Sequence, residues 1–480
     1  MLVLLLHANR LRAPQPAPPL GLCLVASALE AAGHQVRLLD LCFSRRPGED
    51  LARELRTHPP EAIGLSLRNL DNGESLRPRF YLPEAQALAA LCRRGSSAPL
   101  ILGGSAVNVA PAEVMRRTGA DYAVVGDGEE ALPALLARLA AGRPVAGLPG
   151  VYAAGAPVPP APARVADLSA LPDPRPGEWL DLRRYLRHGA ALPVQSKRGC
   201  AFECTYCTYP LLEGREYRTR SPEAVADEVA RAARDWGVRR FEFVDATFNH
   251  PYDHARAVCE ALARGPGRPV LHTMGLNPSG ATPELLGAMR RAGFRSAICA
   301  AESGSDRMLE SLCKGFHVKQ VAQAAAAARG AGVSTLWSFM FGGPGEDEGT
   351  VRETLRFIET GLGPHDRAIC TLGLRVYPGT RLAETAREEG ALAPDADLSE
   401  PVFYFSPRIS PTRTLELIEA SPARPRMVYL ETVQRASVAL GARLWTALHL
   451  PGAAWSALPL YNRVARAWRF GRPPRYHDPR

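Results

Sequence analysis

The stretch that decides the reading is Pro193-Val194-Gln195-Ser196-Lys197-Arg198-Gly199-Cys200-Ala201-Phe202-Glu203-Cys204-Thr205-Tyr206-Cys207. Val194–Ser196 is a short strand candidate, Gly199 opens a loop, and three cysteines come next with the spacing CxxxCxxC. Thiolates are the usual protein ligands of iron–sulfur clusters. Three of them can hold three irons of a cubane and leave the fourth open. A structural zinc site wants four closed ligands, and no second CxxC pair is present to complete one. His250 and His272 read as supporting or solvent groups. The other seven cysteines (Cys23, Cys42, Cys92, Cys259, Cys299, Cys313 and Cys370) are isolated in apolar or helical contexts, where a thiol behaves as a small hydrophobe.

Working outward, further strand candidates lie beyond the cysteine loop at Phe241–Val244, Val270–Thr273, Ala297–Ala300, Thr335–Phe341 and Thr371–Val376. A helix separates most of them. The first is well marked, with Ser221 as N-cap, Pro222 at the first helical position and Gly237 at the end. Six β/α units predict a partial (β/α)6 barrel resembling the TIM barrel, whose chemistry gathers at the carboxyl ends of the strands. Beyond residue 395 the pattern reads as mainly helical, with Tyr404, Trp445, Trp455 and Trp468 as aromatic anchors.

Upstream, residues 1–150 also alternate strand and helix. Strand candidates are Leu2–Leu6, Gln35–Leu39, Ala62–Leu67, Leu100–Leu102 and Tyr122–Val125. This predicts an α/β domain with a doubly wound parallel sheet, its ligand site beyond the carboxyl strand ends. Residues 151–190, rich in Pro and Ala, read as a linker. The expected domains are therefore 1–150, 191–394 and 395–480, with the linker between the first two.

The chain has 480 residues and a net charge of +9, from 58 basic and 49 acidic residues. Only Lys197, Lys314 and Lys319 are lysines. The arginines are dispersed rather than gathered on one face, so nucleic-acid binding is not expected; the one basic run, Arg463–Arg480, reads as a solvated tail. No apolar stretch is long enough to span a membrane. Leu2–Leu6 lacks a basic leader and a cleavage site. A cytoplasmic monomer without a disulfide framework is expected.

Taken together, residues 193–390 resemble the radical S-adenosylmethionine (SAM) superfamily. The resemblance implies that Cys200, Cys204 and Cys207 hold a 4Fe-4S cluster whose open iron chelates SAM. Tyr206, before the third cysteine, is implied to lie near adenine. Phe243-Val244-Asp245-Ala246-Thr247-Phe248-Asn249 resembles the second-strand motif that faces the SAM methionine moiety, through Asp245. Glu302-Ser303-Gly304-Ser305-Asp306 resembles the fourth-strand motif, with Glu302 toward the ribose or amino group and Ser303 beside it. Phe341-Gly342-Gly343-Pro344-Gly345 resembles the fifth-strand turn near adenine.

The first domain carries no GxGxxG after its first strand and no Walker lysine. It resembles instead the cobalamin-binding domain of one radical SAM class. The matching features are the loop Pro14–Pro19 before Leu20-Gly21-Leu22, the Gly33-His34 turn, Gly103-Gly104-Ser105 and Gly126-Asp127-Gly128-Glu129. The implied cobalamin contacts are Pro19, Gly21, Arg68, Asn69, Gly103, Gly104, Ser105, Gly126, Asp127, Gly128 and Glu129. Glycines would let the backbone approach the corrin closely. The DxHxxG histidine is missing, and Arg68, which cannot readily deprotonate, would leave the cobalt's lower face without a ligand. The two resemblances together imply a cobalamin-dependent radical SAM methyltransferase acting on an unactivated carbon of a small molecule, supplied with electrons by a flavodoxin or ferredoxin. A route without the radical, as in tryptophan methylases, stays open. The alternatives are a cyclase or rearrangement enzyme that does not methylate, and a non-catalytic cofactor-binding module.

Overall fold

The computed structural model describes residues 1–157, 160–363, 366–433 and 440–441. Its first sheet contains β1 (Leu2–His7), β2 (Gln35–Asp40), β3 (Ala62–Ser66), β4 (Leu100–Gly103), β5 (Tyr122–Val124) and β6 (Val151–Ala153), in the order β2-β1-β3-β4-β5-β6. The first five are parallel, and β6 closes the edge antiparallel to β5. Helices cover both faces because β1 is apolar throughout. Leu4 and Leu6 enter one core with Leu51, Leu55 and Leu88, while Val3 and Leu5 enter another with Leu29, Leu132 and Leu135. A strand buried on both faces reads as a continuous hydrophobic run rather than an alternating one.

The sheet thus runs past residue 150, and the expected linker is a packed connector. Helices Pro176–Trp179 and Leu182–Arg187 belong to it. Tyr185 is fully buried, sets its ring edge on Phe43 at 4.9 Å, and donates to Asp40 Oδ2 at 2.9 Å. Its proline and alanine content masked these few anchoring residues.

The second sheet is parallel throughout. It contains β7 (Leu192–Val194), then, after the short hairpin β8 (Lys197–Arg198) with β9 (Arg218–Thr219), β10 (Arg240–Phe243), β11 (Val270–Leu276), β12 (Phe294–Glu302), β13 (Ser334–Phe341) and β14 (Arg367–Leu372). The helix between β9 and β10 starts where expected: Ser221 Oγ accepts from Ala224 N, and Gly237 ends it at φ +67°. The sixth barrel strand lies earlier than its apolar run suggests. Gly373, at φ +73° and with a Cβ position only 2.5 Å from the Phe405 ring, breaks it. Leu374–Arg375 (β15) then turns away to pair with Phe403–Tyr404 (β16). A seventh parallel strand, β17 (Met427–Tyr429), joins β14 from the C-terminal region; three residues are too short a run to stand out in sequence. Trp445, Trp455, Trp468 and the Arg463–Arg480 run lie outside the described residues. No helix among the described residues is long and apolar enough to cross a membrane.

Candidate functional site

The cysteine loop leaves β8 at Gly199. There φ is +99°, and a Cβ would sit 1.9 Å from Glu216 O, so glycine is required. The loop is then stitched to its surroundings: Cys200 N donates to Gly214 O at 3.0 Å, Thr205 N to Leu312 O at 3.2 Å, and Leu382 N to Thr205 O at 2.9 Å. All three thiols are free, and Cys200 is buried. Burial raises the Cys204 thiol and pushes Cys207 up to about 12. Binding a metal centre must therefore displace protons from them. Among the described residues, no three His, Cys, Asp or Glu side chains converge on a single ion. A donor set of three soft thiols on one fixed loop fits a cluster rather than a lone hard cation.

Lys314 is a site residue that its sequence context conceals. Its buried ammonium donates to Cys204 Sγ at 3.4 Å and to the Tyr206 hydroxyl at 3.1 Å, and lies 3.7 Å from Glu302 Oε1. Burial would lower its pKa, but the Glu302 carboxylate and the neighbouring thiols raise it. One signal existed. In a chain with 58 basic residues and three lysines, two lysines, Lys197 and Lys314, are buried at this site.

The two strand-end carboxylates part company. Glu302 is left-handed at φ +64°, and its buried Oε2 has no hydrogen-bond partner. Strain and an unsatisfied carboxylate oxygen at one residue fit a ligand ammonium or ribose hydroxyl. Asp245 is already satisfied. Oδ1 accepts from Ser196 N at 2.7 Å and Lys197 N at 3.2 Å, Oδ2 accepts from Ser196 Oγ at 2.7 Å, and Lys197 Nζ lies 3.5 Å away. Asp245 thereby supports the start of the cysteine loop. Ser303 is internal too, bonding Thr354 Oγ1 at 2.9 Å and accepting from Ser305 N. Gly342 (φ +97°) and Gly343 form a tight turn held by Glu346, whose buried carboxyl accepts from Gly342 N. No motif in the sequence marks Glu346.

All eleven residues expected to meet cobalamin line one cavity of about 1740 Å³. A drug-sized ligand fills roughly 300–1,000 Å³, so this space suits something larger. The glycines divide by cause. Cβ positions at Gly21 and Gly103 meet nothing within 4 Å, which is open room for a ligand. At Gly104 (φ +95°) a Cβ would lie 2.5 Å from Leu67 O, and at Gly126 (φ +96°) 2.2 Å from Ala163 O. Backbone packing requires glycine at those two positions, and both also line the cavity. Arg68 and Asn69 are exposed to the cavity. Asp127 and Glu129 face the second domain: Arg198 contacts Asp127 at 3.1 Å and Glu129 at 2.6 Å, and Arg218 contacts Asp127 at 2.5 Å. Their carboxylates tie the first sheet to the β8–β9 hairpin.

The Radical SAM superfamily model matches residues 194–358, and the B12 binding domain model matches residues 6–136. The chain carries a radical SAM domain behind a B12-binding domain. An uncharacterized methyltransferase of Pyrococcus horikoshii is 28% identical to this radical SAM protein over 377 residues, 77% of this chain and 78% of its own. The tryptophan 2-C-methyltransferase of Streptomyces laurentii is 25% identical over 454 residues, 81% of this chain and 74% of its own. The structure of TsrM from Kitasatospora setae, with cobalamin and a 4Fe-4S cluster bound, aligns with a TM-score of 0.82 at 23% identity, covering 98% of this chain and 99% of that one. This radical SAM protein therefore shares its fold with a radical S-adenosylmethionine methyltransferase, and its two matched domains bring a 4Fe-4S cluster with SAM and a cobalamin as cofactors.

Proposed function

We propose that this protein is a cobalamin-dependent radical SAM methyltransferase that moves a methyl group to a carbon atom of a small molecule. The observation that carries the reading is the continuity of the cavity. It runs from the glycine turns of the first sheet, past Arg68, to the bore side of β10–β14. A cofactor seated at the first sheet and a substrate seated in the bore would face each other with no protein wall between them.

When bound, the cobalamin supplies a methyl carrier, and the cluster with SAM supplies the methyl source and one-electron chemistry. The chain's own part is positioning. Cys200, Cys204 and Cys207 hold the cluster. Lys314 sets a positive charge beside Cys204, and Glu302 accepts a hydrogen bond from SAM through Oε2. Tyr206, Gly342 and Gly343 bound the adenine side. Gly21 and Gly103 leave room for the corrin, with Pro19, Gly104, Ser105, Gly126 and Gly128 around it. Arg68, a permanent cation, and Asn69 would lie against the bound corrin. The protein works as a cytoplasmic monomer and draws electrons from a flavodoxin or ferredoxin.

The test is anaerobic reconstitution with iron, sulfide and hydroxocobalamin, then SAM assays with candidate acceptors such as tryptophan and other small aromatic compounds. Cobalamin-dependent formation of S-adenosylhomocysteine and a product heavier by one methyl group is expected. A product isomeric with its substrate would favour rearrangement instead. A reduced, fully loaded protein that leaves SAM intact would sink the enzymatic reading.

A further inference from the structure

A β/α barrel fills its bore with layers of branched apolar side chains. One layer here is polar. Glu242, His272, Ser296 and Ser334 lie side by side in register on β10, β11, β12 and β13. All four line the cavity, and so do the apolar side chains Val244, Met274, Ile298 and Leu336 two residues further along the same strands. Met274 is 51% exposed even though it lines this interior. The result is a cup with a polar floor and an apolar collar.

The floor is incompletely satisfied. His272 Nδ1 is bonded to the buried Ser296 hydroxyl, while His272 Nε2 is buried without a partner. Burial, and then the Arg240 charge, push the imidazole down to about 4, so it is neutral near pH 7. The Ser296 hydroxyl has no other bond among the described residues, so its proton goes to Nδ1. That leaves Nε2–H as a free donor. Glu242, beside it, is a carboxyl acceptor whose pKa burial raises, with the guanidinium groups of Arg68 and Arg240 opposing that shift. An unmet buried polar atom costs roughly 1–3 kcal/mol, in a place where leucine would have filled the space. A donor and an acceptor side by side, with their charges already opposed, match an uncharged group that presents N–H next to C=O.

We propose that this layer is the substrate floor and that it takes the amide edge of a hydrophobic lactam or related cyclic amide. Glu242 accepts the N–H, His272 Nε2–H donates to the C=O, and the collar holds the apolar body. This rests on the methyltransferase reading, which it deepens by naming the substrate class.

The test uses the anaerobically reconstituted holoenzyme and two probes, 2-quinolone and N-methyl-2-quinolone, with affinity measured by equilibrium dialysis. The wild type should favour 2-quinolone by about tenfold, the scale of one hydrogen bond to a charged group. Ser296→Ala and Glu242→Met should each bring the two probes toward parity. Equal binding in the wild type, binding of neither probe, or a preference that survives both substitutions would overturn the proposal. Ser296→Ala removes a single oxygen, so the series stands even if Glu242→Met fails to fold. Formation of S-adenosylhomocysteine by the wild type is scored separately. Turnover of SAM without a probe preference removes the floor alone. A probe preference without SAM turnover upholds the floor and removes the methyltransferase reading.

Discussion

The two candidate cofactor sites are built on opposite plans. The barrel mouth concentrates charge and strain: Glu302 is left-handed with an unmet oxygen, Lys314 is buried against a thiol, and Glu346 is buried under a glycine turn. The first sheet's edge concentrates room. Its glycines leave open space at Gly21 and Gly103, and its acids Asp127 and Glu129 are already paired with arginines across the domain boundary. The difference matches what each edge must hold. A small charged ligand such as SAM is gripped by a few oriented polar groups. A bulky macrocycle needs volume and close backbone first.

The largest expected effect breaks the barrel side outright. Cys204→Ala removes one of three thiols, and the reconstituted protein should then lose its bound iron and sulfide while still taking up cobalamin. Iron, sulfide and cobalt assays check this; full retention of iron would remove Cys204 from the ligand set.

The next test sets the two barrel carboxylates against each other. Asp245→Asn breaks a buried pair with Lys197 and should cost about 3–5 kcal/mol of stability. Glu302→Gln removes the charge 3.7 Å from buried Lys314 Nζ, so it too should cost stability. It alone should also lower SAM affinity, roughly 10- to 100-fold, as for a lost hydrogen bond to a charged group. SAM binding by dialysis separates the two. Equal SAM affinity in the two variants would erase the distinction drawn between them.

Much of this arrangement is legible in the sequence. The five parallel strands of the first sheet are largely apolar runs, two of them ended by glycine turns, and the CxxxCxxC loop comes directly after its strand. What stays hidden depends on contacts between distant residues. Asp245 and Glu302 are both acids at strand ends, and only the Ser196 and Lys197 groups around the first tell them apart. Gly103 and Gly104 are neighbours in one turn, yet only one lies against Leu67 O. The β17 strand is three residues long and acquires meaning only beside β14. Arg198 and Arg218 look like two more arginines in an arginine-rich chain until Asp127 and Glu129 come to face them.

The neighbouring glycines of the first edge allow a smaller test. Gly104→Ala forces a Cβ against Leu67 O at a positive φ and should cost about 1–3 kcal/mol. Gly103→Ala meets nothing within 4 Å, so it should leave stability within about 0.5 kcal/mol and weaken cobalamin retention. Thermal unfolding and the bound cobalamin absorbance check the pair. If Gly103→Ala retained cobalamin fully, the open space there would not be corrin space.

The last test is a slope with pH, and it belongs to the barrel mouth. Burial raises the Glu346 carboxyl to about 8, with the Gly342 and Gly343 N–H groups opposing the shift. In the unfolded chain the same group titrates at about 4.3. Between these values the folded protein holds a proton that the unfolded chain has released. The stability this group contributes is therefore complete below about pH 4, declines as pH rises, and is lost beyond about pH 8. One proton corresponds to a slope of at most about 1.4 kcal/mol per pH unit. Glu346→Gln keeps an amide oxygen for Gly342 N and removes the titration. The variant should gain on the wild type steadily from pH 5 to 8 in denaturant unfolding. Parallel stability curves for the two proteins would show that Glu346 is ionised in the fold, and that the fifth-strand turn is held by a carboxylate rather than by a neutral acid.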